Sequence, residues 1–371
     1  MSDEFYMKRA LTLARKGAGW ASPNPMVGAV IVKYNRIIAE GWHQQYGEAH
    51  AEINAIQAAK VPLEGATLYV TLEPCHHHGK TPPCVESVIA AKFARVVIGM
   101  VDPNPLVAGK SIAALKAHGI YITTGVLEQD CRELNEPFVT YMETGMPYVT
   151  VKFAQTLDGR IATATGHSQW ISGEKSRRYA HQLRSLHDAV LVGAGTVLKD
   201  DPELTVRHVK GRNPLRIVID PALEIPLDAK ILRDQDQART LIVTRPKVAP
   251  AKQNRIHAMG VELIHFGLGK GKMFDLKALF TILAQRKISS ILVEGGAGMI
   301  TSVFKEGLAD RVVAIVAPKI VGEGLNTVGN LGITDMNRAL GLSFKKISRS
   351  DPDVILDGRL KRSALDRFEM G

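Results

Sequence analysis

Cysteine is scarce in this 371-residue sequence: only Cys75, Cys84 and Cys131 occur. Three thiols are too few, and odd in number, for a secreted disulfide scaffold, so a reducing cytoplasm is the expected compartment. No apolar run approaches the roughly 20 residues of a membrane span. The start, Met1-Ser2-Asp3-Glu4, is acidic where a secretory signal would be basic. Aromatic residues make up 6% and do not interleave with basic ones in the stripe that grips single-stranded nucleic acid. No internal repeat or low-complexity tract is present. What is there is ordinary globular material, 45% hydrophobic and 23% charged, which excludes a disordered or collagen-like chain. At ~100–200 residues per domain, the length suggests two domains.

The charge is unevenly spread. Residues 1–146 carry 13 basic against 14 acidic side chains, and residues 147–371 carry 34 against 23. The basic excess is therefore confined to the second part. It suits a phosphorylated small molecule, with solvated Lys and Arg as the plain alternative.

Apolar spacing predicts an amphipathic helix over 3–17, a strand over Val27–Val32 and a helix over 50–59. A strand over Ala66–Leu72 ends at Glu73-Pro74-Cys75, and Pro82-Pro83 can open a helix over Cys84–Ala91. Arg95–Val101 and Ile120–Thr123 read as strands. Gly145-Met146-Pro147 is the expected boundary, giving domains 1–146 and 147–371. Beyond it, strands are expected at Tyr148–Phe153, Ala189–Val192, Leu215–Ile219, Thr240–Val243, Val261–His265, Ser290–Val293 and Val312–Val316. Helices fit around 174–187, 275–286 and 298–305. Strands alternating with helices argue for α/β layers in both parts. The charged tail from Leu360 onward is expected to fray.

The sharpest motif is His50-Ala51-Glu52, followed by Pro74-Cys75 and then Cys84. Taken singly, these would be buried cysteines and a surface histidine. In this order, one imidazole and two thiolates make three zinc ligands and leave a fourth position for water. This is the ligand order of the zinc nucleobase deaminases. Glu52, two residues beyond the histidine, can stand beside the open position and shuttle protons. Zinc would lower the pKa of a water toward ~7. The resulting hydroxide would attack the amino-bearing carbon of a heteroaromatic ring, Glu52 would carry protons to a ring nitrogen and the amine, and ammonia would leave. At the start of a helix, the dipole would lower the Cys84 thiol pKa. Eight residues, His76 to Pro83, separate the cysteines in place of the usual two. That insert, with His76, His77, His78 and Lys80, could meet substrate, compete for metal or be a polar loop.

At this point the sequence resembles the bifunctional deaminase/reductase family of riboflavin biosynthesis, over nearly its whole length. The first part carries the resemblance in Ser22-Pro23-Asn24-Pro25-Met26-Val27-Gly28, Gly41-Trp42-His43, His50-Ala51-Glu52, Thr71-Leu72-Glu73-Pro74-Cys75, Gly79-Lys80-Thr81-Pro82-Pro83-Cys84 and Asp102-Pro103-Asn104-Pro105. The second carries it in Lys152, Thr156-Leu157-Asp158-Gly159-Arg160, Ser168-Gln169-Trp170-Ile171, Gly195-Thr196-Val197, Asp200-Asp201-Pro202, Leu204-Thr205-Val206-Arg207 and Glu294-Gly295-Gly296.

The resemblance implies a cytidine-deaminase-like α/β/α domain followed by a dihydrofolate-reductase-like α/β domain. It implies zinc and NADPH as cofactors and a phosphorylated pyrimidine as substrate. The first domain would deaminate 2,5-diamino-6-ribosylamino-4(3H)-pyrimidinone 5′-phosphate, and the second would reduce the ribosyl chain to ribityl. By motif position, Asn24, His43, His77, Lys80, Asp102 and Asn104 match the deaminase substrate pocket. Lys80 is a plausible phosphate partner, and turn formation beside proline remains open for Asn24 and Asn104. The family also implies a homodimer or tetramer.

In the second part, Ser290–Gly298 reads as a strand entering a glycine loop and a helix. Glycines admit a phosphate to the backbone, and a helix N-terminus favours an anion. By resemblance, Gly296, Ala297, Gly298, Met299, Ile300, Thr301 and Ser302 form a cofactor loop. Ala154, Trp170, Thr196 and Asp200 match other cofactor positions, with Trp170 equally readable as a core aromatic. Ser168, Arg184, Leu204, Arg207 and Glu294 match the reductase substrate positions. Arg184 and Arg207 suit phosphate because a guanidinium binds it bidentately, although Arg184 also fits a solvated helix face. Reduction at a sugar C1 needs an acid near the glycosylamine and a cation to steady charge, for which Lys152 and Asp200 are the candidates.

The zinc motif alone also admits a nucleic-acid-editing deaminase with a non-catalytic C-terminal binding module. The neutral first part and the missing aromatic–basic stripe speak against it, so neither a nucleic-acid nor a membrane partner is expected.

Overall fold

A computed structural model describes residues 1–76, 83–105, 107–267 and 274–361. It divides into two compact units, Met1–Met146 and Pro147–Gly371. His77, Lys80 and the tail beyond residue 361 lie outside the described residues.

The first unit runs α1 (Asp3–Ala14), β1 (Gly28–Lys33), β2 (Arg36–Trp42), α2 (Ala51–Ala58), β3 (Thr67–Leu72), α3 (Cys84–Ala90), β4 (Arg95–Met100), α4 (Lys110–Ala117), β5 (Tyr121–Thr124), α5 (Glu128–Leu134) and α6 (Glu136–Thr144). Its sheet has the order β2-β1-β3-β4-β5. The pairs β1–β2 and β1–β3 are antiparallel, while β3–β4 and β4–β5 are parallel. Ser2 caps α1 by accepting from the Phe5 amide, and the buried stripe Tyr6, Met7, Ala10, Leu11 and Leu13 seats the helix.

Two glycines let helices lie on both faces of this sheet. A Cβ on Gly28 would stand 2.0 Å from the Ala10 carbonyl oxygen of α1. A Cβ on Gly41 would stand 2.4 Å from the Ala55 nitrogen and 2.5 Å from the Ala51 carbonyl oxygen of α2. Gly41 pairs with Ala29, the neighbour of Gly28, so the two glycines face opposite sides. The apolar runs at β1, β3 and β4 are buried almost throughout because both faces are covered. The strand β2 and the helices α4, α5 and α6 escaped the periodicity reading. Strand β2 is half-exposed and alternates poorly, with its first two residues in solvent.

The second unit runs β6 (Tyr148–Thr156), β7 (Arg160–Thr163), α7 (Glu174–Leu186), β8 (Ala189–Gly193), α8 (Ala194–Asp200), β9 (Leu215–Ile219), β10 (Thr240–Thr244), α9 (Pro250–Ala258), β11 (Glu262–His265), α10 (Leu276–Gln285), β12 (Ser290–Val293), α11 (Ala297–Lys305), β13 (Arg311–Ala317), β14 (Gly324–Asn326), β15 (Leu342–Ser350) and β16 (Asp353–Leu360). A nine-stranded sheet has the order β11-β10-β9-β8-β12-β6-β13-β16-β15. It is parallel from β11 to β13 and antiparallel at β16 and β15. The parallel core strands β8, β9, β10 and β12 are the apolar runs of the sequence, buried on both faces. Strand β15 is mostly exposed and carries Lys345, Lys346 and Arg349, the charge that blunts a sheet edge and hides it from a hydrophobic reading. Among the described residues, no helix is long and apolar enough to cross a membrane.

Candidate functional site

In the first unit, the three sequence-predicted ligands come from three segments. His50 is the N-cap of α2, Cys75 follows β3, and Cys84 is the first residue of α3. Their ligand atoms all lie within 4.8 Å of one another. His50 Nδ1 is 3.2 Å from Cys84 Sγ and 3.6 Å from Cys75 Sγ. A tetrahedral zinc with Zn–S of about 2.3 Å and Zn–N of about 2.0 Å sets nitrogen and sulfur about 3.5 Å apart. The donor set and its spacing therefore fit zinc.

Gly41 lets α2 close onto β2, and Asn54 donates from Nδ2 to the Trp42 and Ala49 carbonyls at 2.8 and 3.2 Å. That clip fixes the chain on either side of the histidines. Glu52, in the first turn of α2, is buried and within hydrogen-bond reach of the Cys84 thiol. Burial pushes its carboxyl up to about 7, against the pull of His50.

Cys84 does open a helix, and the amide at that helix start, with His50 beside it, lowers the thiol of Cys75. The Cys84 backbone amide donates to Cys75 Sγ at 3.2 Å, while its thiol lies within reach of both Cys75 and Glu52. The helix-start amide thus serves the neighbour and not its own side chain.

Around this centre, His43 packs edge-on against His50, with ring centroids 5.2 Å apart. The His43 ring is buried, which lowers its pKa, and its Nδ1 donates to the Ala49 carbonyl at 3.1 Å. Its Nε2 is then the acceptor for Asn24 Nδ2 at 3.2 Å. The segment of Asn24 is held by buried Asn135, whose amide makes paired bonds of 2.8 and 2.9 Å with the Met26 backbone. Asp102 Oδ1 accepts from the Asn104 amide at 2.8 Å, so these two shape one turn. Asn54 and Asn135 carried no motif and were not legible as site residues.

In the second unit, the sheet register puts Val293 beside Val151, which brings Glu294 next to Lys152. Arg184 of α7 donates to Glu294 from Nε at 2.6 Å and Nη2 at 3.0 Å, and Lys152 Nζ reaches it at 3.4 Å. Burial would raise the Glu294 carboxyl, but Arg184 and Lys152 outweigh it and hold the group at about 2. Arg184 is therefore paired in the interior and not on a solvated helix face.

Arg184 Nη1 also donates to the Thr205 carbonyl at 3.1 Å, and Arg207 Nη1 donates to Thr205 Oγ1 at 3.1 Å. His181 accepts from the Arg207 amide at 3.2 Å. The intervening Leu204 is buried with φ of 53°. A branched residue in that region stores about 1–3 kcal/mol of strain, which draws notice to the loop.

The glycine loop lies at the carboxyl end of β12, where parallel sheets bind ligands. Gly296 is the N-cap of α11 and its amide donates to Thr196 Oγ1 at 3.1 Å. A Cβ on Gly195 or Gly298 would meet nothing within 4 Å, so open space for a phosphate lies over the turn. Residues and cradle fit a dinucleotide. Ile300 turns into the core and bonds its amide to Gly296, while Thr301 and Ser302 return their hydroxyls to the Ala297 and Gly298 carbonyls. The open part of the loop is thus Gly296 to Met299.

Ala154 and Ser168 are half-buried. Trp170 is 64% exposed beneath the Arg177 guanidinium at 4.6 Å, which removes the core-aromatic reading. Asp200 is exposed at the end of α8, and among the described residues no hydrogen bond joins it to Lys152.

Comparison with known proteins agrees with this arrangement. Residues 1–100 match the cytidine and deoxycytidylate deaminase zinc-binding region, and residues 147–356 match the RibD C-terminal domain. The riboflavin biosynthesis protein RibD of Aquifex aeolicus is 45% identical over 95% of this chain and 97% of its own. That of Escherichia coli is 39% identical over 96% and 99%. Among solved structures, Acinetobacter baumannii RibD superposes with a TM-score of 0.89 at 36% identity, covering 97% of this chain and 99% of its own. A diaminohydroxyphosphoribosylaminopyrimidine deaminase/5-amino-6-(5-phosphoribosylamino)uracil reductase from Thermotoga maritima gives 0.84 at 39%, with the same coverage. With both halves matched and near full-length relatives on every side, the chain belongs to the RibD family of riboflavin biosynthesis proteins.

Proposed function

We propose that the chain carries out two consecutive steps of riboflavin biosynthesis. Residues 1–146 deaminate 2,5-diamino-6-ribosylamino-4(3H)-pyrimidinone 5′-phosphate, and residues 147–371 reduce the product with NADPH to 5-amino-6-(ribitylamino)uracil 5′-phosphate. The observation that supports this most is the convergence of His50, Cys75 and Cys84 beside the buried carboxylate of Glu52.

His50, Cys75 and Cys84 would hold the zinc, whose charge makes a water acidic near neutral pH. Glu52 would carry one proton of the attacking water to the ring nitrogen and then the second, from the new hydroxyl, to the amine, which leaves as ammonia while the carbon becomes a carbonyl. The turn of Asp102 and Asn104, with Asn24 oriented by His43, reads the pyrimidine edge through fixed donors and acceptors.

In the second unit, Gly296–Met299 and Thr196 would seat NADPH, which supplies the hydride. Arg184 and Arg207 meet the substrate phosphate in this reading, and Glu294 keeps Arg184 and Lys152 in place. Lys152 steadies charge at the opening sugar, with Asp200 as the acid. The protein works in the cytoplasm as a homodimer or tetramer.

The test follows ammonia release and NADPH oxidation on the zinc-loaded protein. NADPH should be consumed only with deaminated substrate, supplied or made in place. No ammonia from the diaminopyrimidine phosphate, together with tight RNA binding of steep salt dependence, would replace this reading with nucleic-acid editing.

A further inference from the structure

Among the buried carboxylates that the chemistry above does not use, Glu73 lies nearest in sequence to a zinc donor. Glu73 follows β3, lies two residues before Cys75 and is 2% exposed. A carboxylate taken out of water needs several hydrogen bonds to be tolerated. Four backbone amides supply them. Oε2 accepts from Asp102 at 3.3 Å and Gly109 at 3.0 Å, and Oε1 accepts from Ser111 at 3.1 Å and Ile112 at 3.4 Å. Ser111 Oγ adds a second tie by donating to the Pro74 carbonyl at 2.6 Å.

A carboxylate that only capped α4 would need no more than the amides at the helix start. The bond to the Asp102 amide lies outside the helix, at the head of the turn that carries Asp102 and Asn104. One side chain therefore joins three things: the chain entering Cys75, the substrate-reading turn and the start of α4.

We propose, on the deaminase reading above, that Glu73 is a positioning residue that holds the Asp102–Asn104 turn at a fixed distance from the Cys75 segment. Recognition of the ring and the centre that activates water are thereby kept as one rigid body. Glu73 touches neither substrate nor metal, and it acts through backbone amides alone.

Glu73→Gln keeps the volume but turns an NH2 group toward two amide donors, so two of the four bonds are lost. Amide hydrogen exchange at Asp102, Gly109, Ser111 and Ile112 should accelerate by about tenfold or more, while α2 stays protected. This readout needs no activity, so it stands even if the deaminase reading falls because the unaltered chain releases no ammonia. In the kinetic arm, KM for the diaminopyrimidine phosphate should rise about tenfold with kcat within about threefold. Zinc content should stay at the level of the unaltered protein. Combined with Asp102→Asn, the effects on KM should be strongly non-additive, which a general loss of stability would not produce. Unchanged exchange, additive effects, or loss of zinc with KM unchanged would each overturn the proposal. Should Glu73→Gln not fold, Glu73→Asp carries the test. Its shorter arm cannot hold the Asp102 amide and the α4 amides together, so KM should rise several-fold at full zinc content, and an unchanged KM would overturn the proposal.

Discussion

Arg184 and Glu294, 110 residues apart in sequence, meet in a two-point ion pair with bonds of 2.6 and 3.0 Å. Both side chains are nearly buried, at 13% and 6% exposure. Removing one partner of such a pair strands the other charge in the interior, at a cost of about 3–5 kcal/mol. Glu294→Gln should therefore lower the unfolding free energy of the second unit by a few kcal/mol. It should also release Lys152 and Arg184 and depress NADPH oxidation by ~10²-fold or more. Ammonia release should stay within about twofold, since the change lies in the other unit. Urea unfolding and the two assays check each part.

The same pair has a pH signature. The Glu294 carboxyl is held at about 2, below its ordinary value of 4.5. A depressed carboxylate stabilises the fold above 4.5, and that contribution is lost as the pH falls toward 2. Across the neutral range the pair should be insensitive to pH, and acid unfolding of Glu294→Gln should lose the corresponding part of its slope.

His187 predicts a change nearer neutrality. Its ring is buried, donates from Nδ1 to the Leu183 carbonyl at 2.7 Å and accepts at Nε2 from the Thr150 hydroxyl at 2.9 Å. Burial pushes its pKa from 6.5 to about 4. The unfolded chain takes up a proton below 6.5 while the folded chain does not until about 4, so stability is full above 6.5 and falls between them. The loss should reach on the order of 3 kcal/mol at most. Unfolding midpoints across that window should show it, and His187→Gln should flatten the curve.

Glu52→Gln should abolish ammonia release and leave zinc bound, because in the proposed function Glu52 moves protons and stands outside the group of His50, Cys75 and Cys84 that could hold the metal. Metal analysis alongside the activity decides it, and loss of zinc would contradict the role. Cys75→Ser should do the opposite. Zinc should be lost and ammonia release with it, while reduction of already deaminated substrate persists.

Gly41→Ala tests how α2 is seated. The added Cβ would stand 2.4 Å from the Ala55 backbone and force α2 away from β2. Overpacking of this kind costs about 1–3 kcal/mol. It should also weaken zinc binding, since His50 caps the displaced helix. Chelator competition against the unaltered protein measures that shift.

Much of the fold was legible because buried parallel strands must be apolar along their whole length. The runs at 215–219 and 290–293 coincide with β9 and β12. Among the elements that periodicity missed, β2 is half-exposed and β15 mostly exposed, and both obey charge and pairing more than burial.

The sequence by itself singled out His50, Cys75 and Cys84 as the candidate donors, which the structure brings together, and also the helix starts that carry two of them and the two-part α/β plan. Residue identity and local spacing suffice for those, since metal affinity and strand burial follow from chemistry that each segment carries with it. Only the tertiary structure decided that the Cys84 backbone amide serves the Cys75 sulfur, that Trp170 faces solvent, and that Glu294 locks Arg184. It alone also showed that Glu73 gathers four amides. Each of these depends on which distant groups share a buried space. Desolvation and hydrogen-bond satisfaction act on that shared space, and no periodicity along the chain records it.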